Sequence, residues 1–189
     1  MVNVGCGPNP LSGWENIDNS PTLFLARLPV SRLLNEGRRQ MWKAGRTGQI
    51  RRGSATRLPF RDGTVDVIYS AHMINGMLPE EARMFVRECH RVLKPGGWVR
   101  VSVPNLHVLM QRYLANADAN WFAERLMKGR GRRGHLWTYD ELSLPQLLSD
   151  CGLRKSVAVQ AGKTNIPIYG TLDLCERADE SVYAEAQRP

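Results

Sequence analysis

The sequence is short of the features that would place it in several classes of protein at once. Its four cysteines, Cys6, Cys89, Cys151 and Cys175, are scattered, with no C-x-x-C pair and no Cys/His group at zinc spacing. That excludes a disulfide scaffold, leaves no metal site to expect, and predicts four reduced, buried thiols. No apolar run reaches the roughly 18 to 20 residues that span a bilayer. The opening Met-Val-Asn-Val-Gly-Cys-Gly has neither the basic region nor the apolar stretch of a secretion signal, so a cytoplasmic location is expected. Internal repeats and low-complexity stretches are also missing. What remains is ordinary for a globular chain: 189 residues, 42% hydrophobic and 23% charged, enough for one domain over 1–189 with its own core.

Short apolar runs alternate with one clear helix. Val2 to Gly7 is apolar and stopped by glycines, Trp14 to Asp18 follows it, and Thr64 to Ser70 is β-branched after Asp62-Gly63; each reads as a strand. From Pro79, the residues Ala82, Phe85, Val86, Cys89, Val92 and Leu93 recur at the helical period, with Glu80 and Glu81 in the first turn and Arg91 and Lys94 in the last. Lys94-Pro95-Gly96-Gly97 ends that helix, and Trp98 to Val103 runs extended. Strand, helix, strand at this spacing is a βαβ unit, which builds a parallel sheet. Asn105 to Tyr139 is mixed, with a helical piece at Trp121 to Met127 and a glycine-arginine loop at Gly129 to Gly134. A further helix carries Leu144, Leu147, Leu148 and Cys151, capped by Asp140 or Ser143; Val157 to Gln160 and Ser181 to Ala186 are strand-like.

Charge is uneven. The chain carries +8, and between Pro21 and Gly53 eight basic residues face one acid, Glu36. The same stretch holds Leu23, Leu25, Leu28, Leu33, Leu34, Met41 and Trp42, so it reads as a basic helical insertion, at about 21–53, that packs on the body through an apolar face.

An open parallel sheet binds its ligand beyond the carboxyl ends of its strands. At the end of the first strand stands Gly5-Cys6-Gly7, where a backbone can approach a ligand without a side chain intervening. A dinucleotide site needs a helix directly behind such glycines to hold the pyrophosphate. Pro8, Pro10 and Gly13 leave no room for one, and the acid Asp18 arrives 11 positions after Gly7 rather than the roughly 20 of a nicotinamide site. The expected ligand therefore has no pyrophosphate.

Four stretches together carry a resemblance: Asn3-Val4-Gly5-Cys6-Gly7, Gly13-Trp14-Glu15-Asn16-Ile17-Asp18, Leu58-Pro59-Phe60-Arg61-Asp62-Gly63-Thr64-Val65-Asp66, and His90-Arg91-Val92-Leu93-Lys94-Pro95-Gly96-Gly97. They resemble class I S-adenosylmethionine-dependent methyltransferases, and among them the type-11 methyltransferase domain family. The resemblance implies a doubly wound α/β fold, a mostly parallel Rossmann-like sheet with an antiparallel C-terminal strand. It puts Gly5, Cys6 and Gly7 beside the methionine part of the cofactor and Asp18 on the ribose hydroxyls, where a carboxylate can accept both hydrogen bonds of a vicinal diol. Ser54-Ala55 stands where the family has Asp-Ala at the adenine, which leaves that contact to the Ala55 amide. Ser70-Ala71-His72 closes the strand that faces the transferred methyl group, with Ser70 counted among the cofactor contacts. Asn75-Gly76 stands where the family often has a Glu-His pair.

Methyl transfer is an in-line displacement that alignment and desolvation can largely drive, and it needs a base only when the acceptor holds its proton. His72 and His135 are the candidate bases, His135 because His135-Leu136-Trp137-Thr138-Tyr139 resembles a family pattern after the acceptor-covering segment at about 105–139. His107 is a further candidate, whereas His90 lies inside the long helix. The reading is methyl transfer from S-adenosylmethionine to a small-molecule or glycan acceptor at oxygen. The basic stretch suits a phosphorylated or membrane-presented acceptor. Two alternatives stand beside it: a nucleic-acid methyltransferase, disfavoured because no base-flipping motif or RNA-binding module is present, and a catalytically silent binding protein. The chain begins almost at its first strand, so the sheet face that a preceding helix covers in many relatives is left to another element or to a partner chain.

Overall fold

The computed structural model describes residues 1–27, 36–127 and 135–189. The glycine-arginine loop, together with Leu28, Arg32, Leu33 and Leu34, lies outside them. Seven strands form one sheet: β1 Val2–Val4, β2 Glu15–Asp18, β3 Arg51–Arg52, β4 Val65–Ala71, β5 Leu93–Pro104, β6 Arg154–Val159 and β7 Ser181–Gln187. Their order is β3-β2-β1-β4-β5-β7-β6. All pairs from β3 through β5 are parallel, while β7 runs antiparallel to both β5 and β6. This is the doubly wound, mostly parallel sheet with an antiparallel C-terminal strand. The strand order turns at β1 and β4, so their carboxyl ends open a crevice.

The side-chain period of two sorts the central strands onto two faces. Val99, Val101 and Val103 of β5, with Val182, Ala184 and Ala186 of β7, join the core beneath two helices. These are α2 (Pro79–Val92), which buries Ala82, Phe85, Val86, Cys89 and Val92, and α5 (Ser143–Asp150), which buries Leu144, Leu147 and Leu148. Burying a side chain such as Phe85 or Leu148 contributes about 1.5–3 kcal/mol. Of the two candidate caps of α5, Asp140 supplies the acceptor: its Oδ1 takes the Ser143 N–H at 2.7 Å.

The other face carries Val67 and Tyr69 of β4 and Trp98 of β5, which pack with Trp14, Ile166 and Leu172. Ile166 and Leu172 belong to the irregular connection between β6 and β7, residues 160–180, which lies across the sheet as a strap. The alternate residues of β5 and β7 hold it. Arg100 and Glu185 are direct cross-strand partners, both fully buried, and Arg100 Nη1 donates to Glu185 Oε1 at 2.6 Å. The same guanidinium donates to the strap carbonyls of Lys163 (3.0 Å) and Leu174 (3.2 Å). Glu185 accepts from Thr164 Oγ1 (2.6 Å) and the Asn165 N–H (2.7 Å). Tyr69 donates to Glu176 Oε2 at 2.5 Å and Tyr183 to the Glu176 carbonyl at 2.6 Å. The face left open in the sequence reading is thus covered from within the chain, along these central strands.

Between β2 and β3 run a 3-10 segment, Pro21–Arg27, and α1, Glu36–Arg46. As β2 and β3 are parallel neighbours, the basic stretch supplies their crossover, and Leu23, Met41, Ala44 and Ile50 form its own small core. The long stretch after β5 holds α3 (Leu106–Asn116), capped by Asn105 Oδ1 on the His107 N–H, and α4 (Ala119–Met127). α3 escapes a reading by apolar periodicity because it buries only Leu109. All four cysteines are free, and Cys89 is buried as expected. Cys6 and Cys151 are only half-buried, and Cys175, on the strap, is exposed instead. No helix among the described residues is long and apolar enough to cross a membrane.

Removing one partner of the buried ion pair strands the other in a dry interior, which costs about 3–5 kcal/mol. Glu185→Ala is therefore expected to lower the unfolding free energy measured in urea by that much. The double variant Arg100→Leu/Glu185→Leu should recover part of the loss yet stay below the wild type, because the strap groups of Lys163, Asn165 and Leu174 keep no partner. Full recovery would show that the pair does not hold the strap.

Candidate active site

β1 ends at Val4 because Gly5 turns the chain with φ +72°. The turn is tied to the neighbouring strand: the Gly5 N–H donates to the Ile17 carbonyl at 2.8 Å, and the Gly7 N–H to Asp18 Oδ2 at 3.0 Å. The other Asp18 oxygen accepts from the Ser20 N–H at 2.7 Å. Residues 5–14 form no helix. Asn16 organises them instead, accepting from the Leu11 N–H and donating to the Leu11 and Trp14 carbonyls, while the Asn3 carboxamide donates to it from β1. A Cβ on Gly5 would come within 2.5 Å of the Met73 sulfur, so a side chain is excluded there both by conformation and by packing.

The next wall follows β3. The Gly53 N–H donates to the Asp18 carbonyl, and a Cβ on Gly53 would lie 2.8 Å from Ile17. Ser54 Oγ accepts from the Thr56 N–H and meets the Thr56 hydroxyl at 3.0 Å, closing a small turn. α2 staples the stretch behind that turn. Arg91 donates to the carbonyls of Leu58 and Phe60 and to Glu88 and Asp62, while Glu88 accepts from the Leu58 N–H. These contacts, the Arg91 hydrogen bond foremost, hold the Glu88 carboxyl below its ordinary range. The Leu-Pro-Phe-Arg-Asp motif is thereby fixed to the helix.

The third wall is the end of β4. His72 takes a left-handed conformation (φ +48°), its N–H donates to the Ser102 carbonyl, and its Nε2 lies 3.1 Å from Ser181 Oγ at the start of β7. A 3-10 turn, Ile74–Gly76, follows. Its Asn75 carbonyl accepts from the Leu136 and Trp137 N–H groups at 2.7 and 3.1 Å, which brings His135 to the same place.

Together these walls enclose a cavity of about 510 Å³, within the range of small-molecule sites. Gly5, Asp18, Ser54 and Ala55 line it along with both His72 and His135, and Asn75, Gly76, Met77 and Glu81 complete the wall. Histidines 63 positions apart in sequence thus face one space. Three expected contacts stand apart from it. Cys6 turns away to pack against the crossover core, and burial, reinforced by the Asp18 charge, pushes its thiol up to about 12. Gly7 acts through its N–H on Asp18 rather than as wall. Ser70 is fully buried in β4, on the face it shares with Ile68. His107 is exposed at the start of α3, beside Gln111 and 3.8 Å from Glu141, and does not reach the cavity. Sequence reasoning missed Asn16, Arg91 and Asn75 as parts of the site. The first two lie inside the quoted motifs, but nothing in the linear order tells what they hold.

The comparisons with known proteins agree with this architecture. The chain is 43% identical over 56 residues to a probable S-adenosylmethionine-dependent methyltransferase of Mycolicibacterium smegmatis, covering 30% of this chain and 21% of that protein. Over 68 residues it is 35% identical to malonyl-[acyl-carrier protein] O-methyltransferase 1 of Coxiella burnetii, covering 36% and 23%. The matches thus span less than a quarter of these relatives' length. Among solved structures, a protein of Pyrococcus horikoshii superposes with a TM-score of 0.61 at 18% identity, over 100% of this chain and 81% of that one. An S-adenosylmethionine-dependent methyltransferase of Methanosarcina mazei gives 0.57 at 18% identity, over 99% and 91%. At such identities the likeness is one of fold. The family model of the methyltransferase domain matches residues 2–101, more than half of the chain, with the glycine turn, Asp18 and the Arg91 staple inside it. The chain belongs to the type-11 methyltransferase domain family of class I S-adenosylmethionine-dependent methyltransferases.

Proposed function

We propose that the protein transfers a methyl group from S-adenosylmethionine to an oxygen of a small-molecule or glycan acceptor. The observation that carries this reading is that one cavity joins a glycine edge and a carboxylate, Gly5 and Asp18, to two imidazoles, His72 and His135. When bound, the cofactor supplies a methyl carbon activated by a sulfonium sulfur.

The residues present fit that cofactor. Gly5 offers backbone with no side chain in the way, and each Asp18 oxygen, though it already accepts from one amide, keeps a lone pair for a ribose hydroxyl. The two amides also fix the carboxylate before any ligand arrives, so little ordering remains to be done on binding. Ser54 and Ala55 line the same wall and would meet the adenine. Their small side chains leave room for a planar ring.

At the other end the chain supplies proton acceptors. An acceptor hydroxyl must lose its proton as its oxygen forms the new bond, and an imidazole is suited to take it near neutral pH. His72 is held from both sides, by its N–H on the Ser102 carbonyl and by its ring on Ser181, so its ring is oriented by the sheet. His135 is placed by the Asn75 carbonyl through the two amides that follow it. The acceptor-covering role belongs to the segment at about 105–139, of which residues 128–134 lie outside the described ones.

The acceptor's chemistry follows from charge. Arg38, Lys43 and Arg46 of α1 are exposed, with Arg51 and Arg52 of β3 exposed beside the Gly53–Ser54 wall. Partial pairing exists, Arg39 with Glu36 and Arg51 with Glu15, at 3.6 and 4.0 Å, yet cations exceed acids. This surplus supports an acceptor that is phosphorylated or presented on an anionic membrane surface.

Three outcomes are expected. Asp18→Asn keeps the shape of the side chain and removes its charge, so calorimetry with S-adenosylhomocysteine should show affinity weakened about tenfold or more, since hydrogen bonds to charged groups contribute about 1.5–3 kcal/mol; unchanged affinity would take Asp18 off the ribose. His72→Ala or His135→Ala should slow transfer of a labelled methyl group to acceptors in cell extracts while S-adenosylhomocysteine binding persists. If neither variant slows transfer, general-base catalysis is wrong and positioning alone remains. Finally, replacing Arg38, Lys43 and Arg46 by Gln should cut binding to vesicles containing anionic lipid by about 1 kcal/mol per cation, measured by co-sedimentation near physiological salt. Equal sedimentation of the variant and the wild type would leave the basic surface a solvated face.

A further inference from the structure

Asn75 is 4% exposed and lines the cavity between the two histidines and Met77. Its main chain is committed, since its carbonyl accepts from both Leu136 and Trp137. Its side-chain oxygen is not. Asn75 Oδ1 is buried and has no hydrogen-bond partner among the described residues. A buried amide oxygen without a donor is costly in a folded protein, and almost all such atoms are paired. An apolar side chain of the same size would serve the fold better at this position, so the carboxamide needs a purpose that the ligand-free protein does not display.

We propose that Asn75 is a specificity-determining residue, whose Oδ1 turns to the cavity on binding and accepts a hydrogen bond from the amino-acid arm of the cofactor or from the acceptor. The inference rests on the reading of the cavity as the methyl-transfer site. Apart from the ribose and the adenine, which the Asp18 and Ser54–Ala55 walls meet, two groups in that reaction carry such a donor, the α-ammonium of the cofactor and the hydroxyl of the acceptor. Either one would satisfy the oxygen on binding, and a ligand without a donor at that point would leave it stranded in a site now closed to water. Discrimination of this kind is strong, because the unpaired group penalises the wrong ligand.

Asn75→Leu and Asn75→Ala test this against the wild type. Both retain the main-chain bonds to Leu136 and Trp137 and remove only the carboxamide. Three measurements are made: the ligand-free melting temperature, calorimetric affinity for S-adenosylhomocysteine and for 5′-methylthioadenosine, which lacks the amino-acid arm, and transfer of labelled methyl groups to the small-molecule fraction of a cell extract. The leucine variant is expected to melt no lower than the wild type, since the native side chain gives up no partner. A loss of tenfold or more for S-adenosylhomocysteine with 5′-methylthioadenosine unaffected assigns the donor to the ammonium. Unchanged affinity for both with transfer reduced tenfold or more assigns it to the acceptor. Unchanged affinity and transfer overturn the proposal, as do equal losses for the two nucleosides. So does a lowered melting temperature in both variants, which would make the carboxamide a structural group. Failure of the wild type to bind S-adenosylhomocysteine would instead remove the reading of the cavity, and the proposal with it.

Discussion

A buried ion pair sets the terms for this fold. Arg100 and Glu185 sit opposite each other on β5 and β7 with no exposure to water, and neither charge could remain there on the strength of the other alone, because removal from water costs several kcal/mol per ion. The strap supplies what is missing: two carbonyls for the guanidinium, and a hydroxyl and an amide for the carboxylate. The irregular chain between β6 and β7 therefore has a defined path, although it contains no helix or strand of its own. Along that path Ile166 and Leu172 reach Trp14, Tyr69 and Trp98 and close the second face of the sheet.

The strap also connects that face to the site. Thr171 donates to the Ser12 carbonyl in the loop behind the glycine turn, at 2.9 Å. At the far end of the strap the Glu180 carbonyl accepts from the Asn105 N–H, and Ser181 next to it meets His72. The pair thus fixes a segment whose middle touches the loop after β1 and whose far end leads to the residue that meets the histidine after β4. The crevice is thus tied through the strap to a charge pair behind the sheet.

Within the site, the same groups serve structure and chemistry. The Asp18 carboxylate shapes the glycine turn through Gly7 and lines the cavity. The Asn75 carbonyl positions His135, whereas its carboxamide is left unpaired. Met73 fills the space over Gly5 and forms part of the wall. Such double use explains how a small domain can enclose a cavity of about 510 Å³. Backbone contacts hold Gly5, Gly53, His72 and Asn75 to a neighbouring strand or turn.

Much of this was legible in the linear sequence. The helical period from Ala82 to Val92, the β-branched run before Ser70, and the prolines and glycines at 5–13 and 94–97 act on their immediate neighbours, so strand, turn and helix follow from local sterics and burial. Gly5, Asp18, Ser54, Ala55, His72 and His135, singled out by the glycine turn and by the family resemblance, all line one cavity, because a doubly wound sheet sends its strand ends to one edge. The pairings between distant residues were not legible. Arg100 and Glu185 are 85 positions apart and look like ordinary polar residues on alternating strands, and the β6–β7 connection has no period to mark it. Which charges are buried, which way Cys6 and Ser70 face, and that Asn75 keeps an oxygen unpaired are decided by strand register and by what packs across from each residue. Those are properties of neighbours in space, and composition and order along the chain do not carry them.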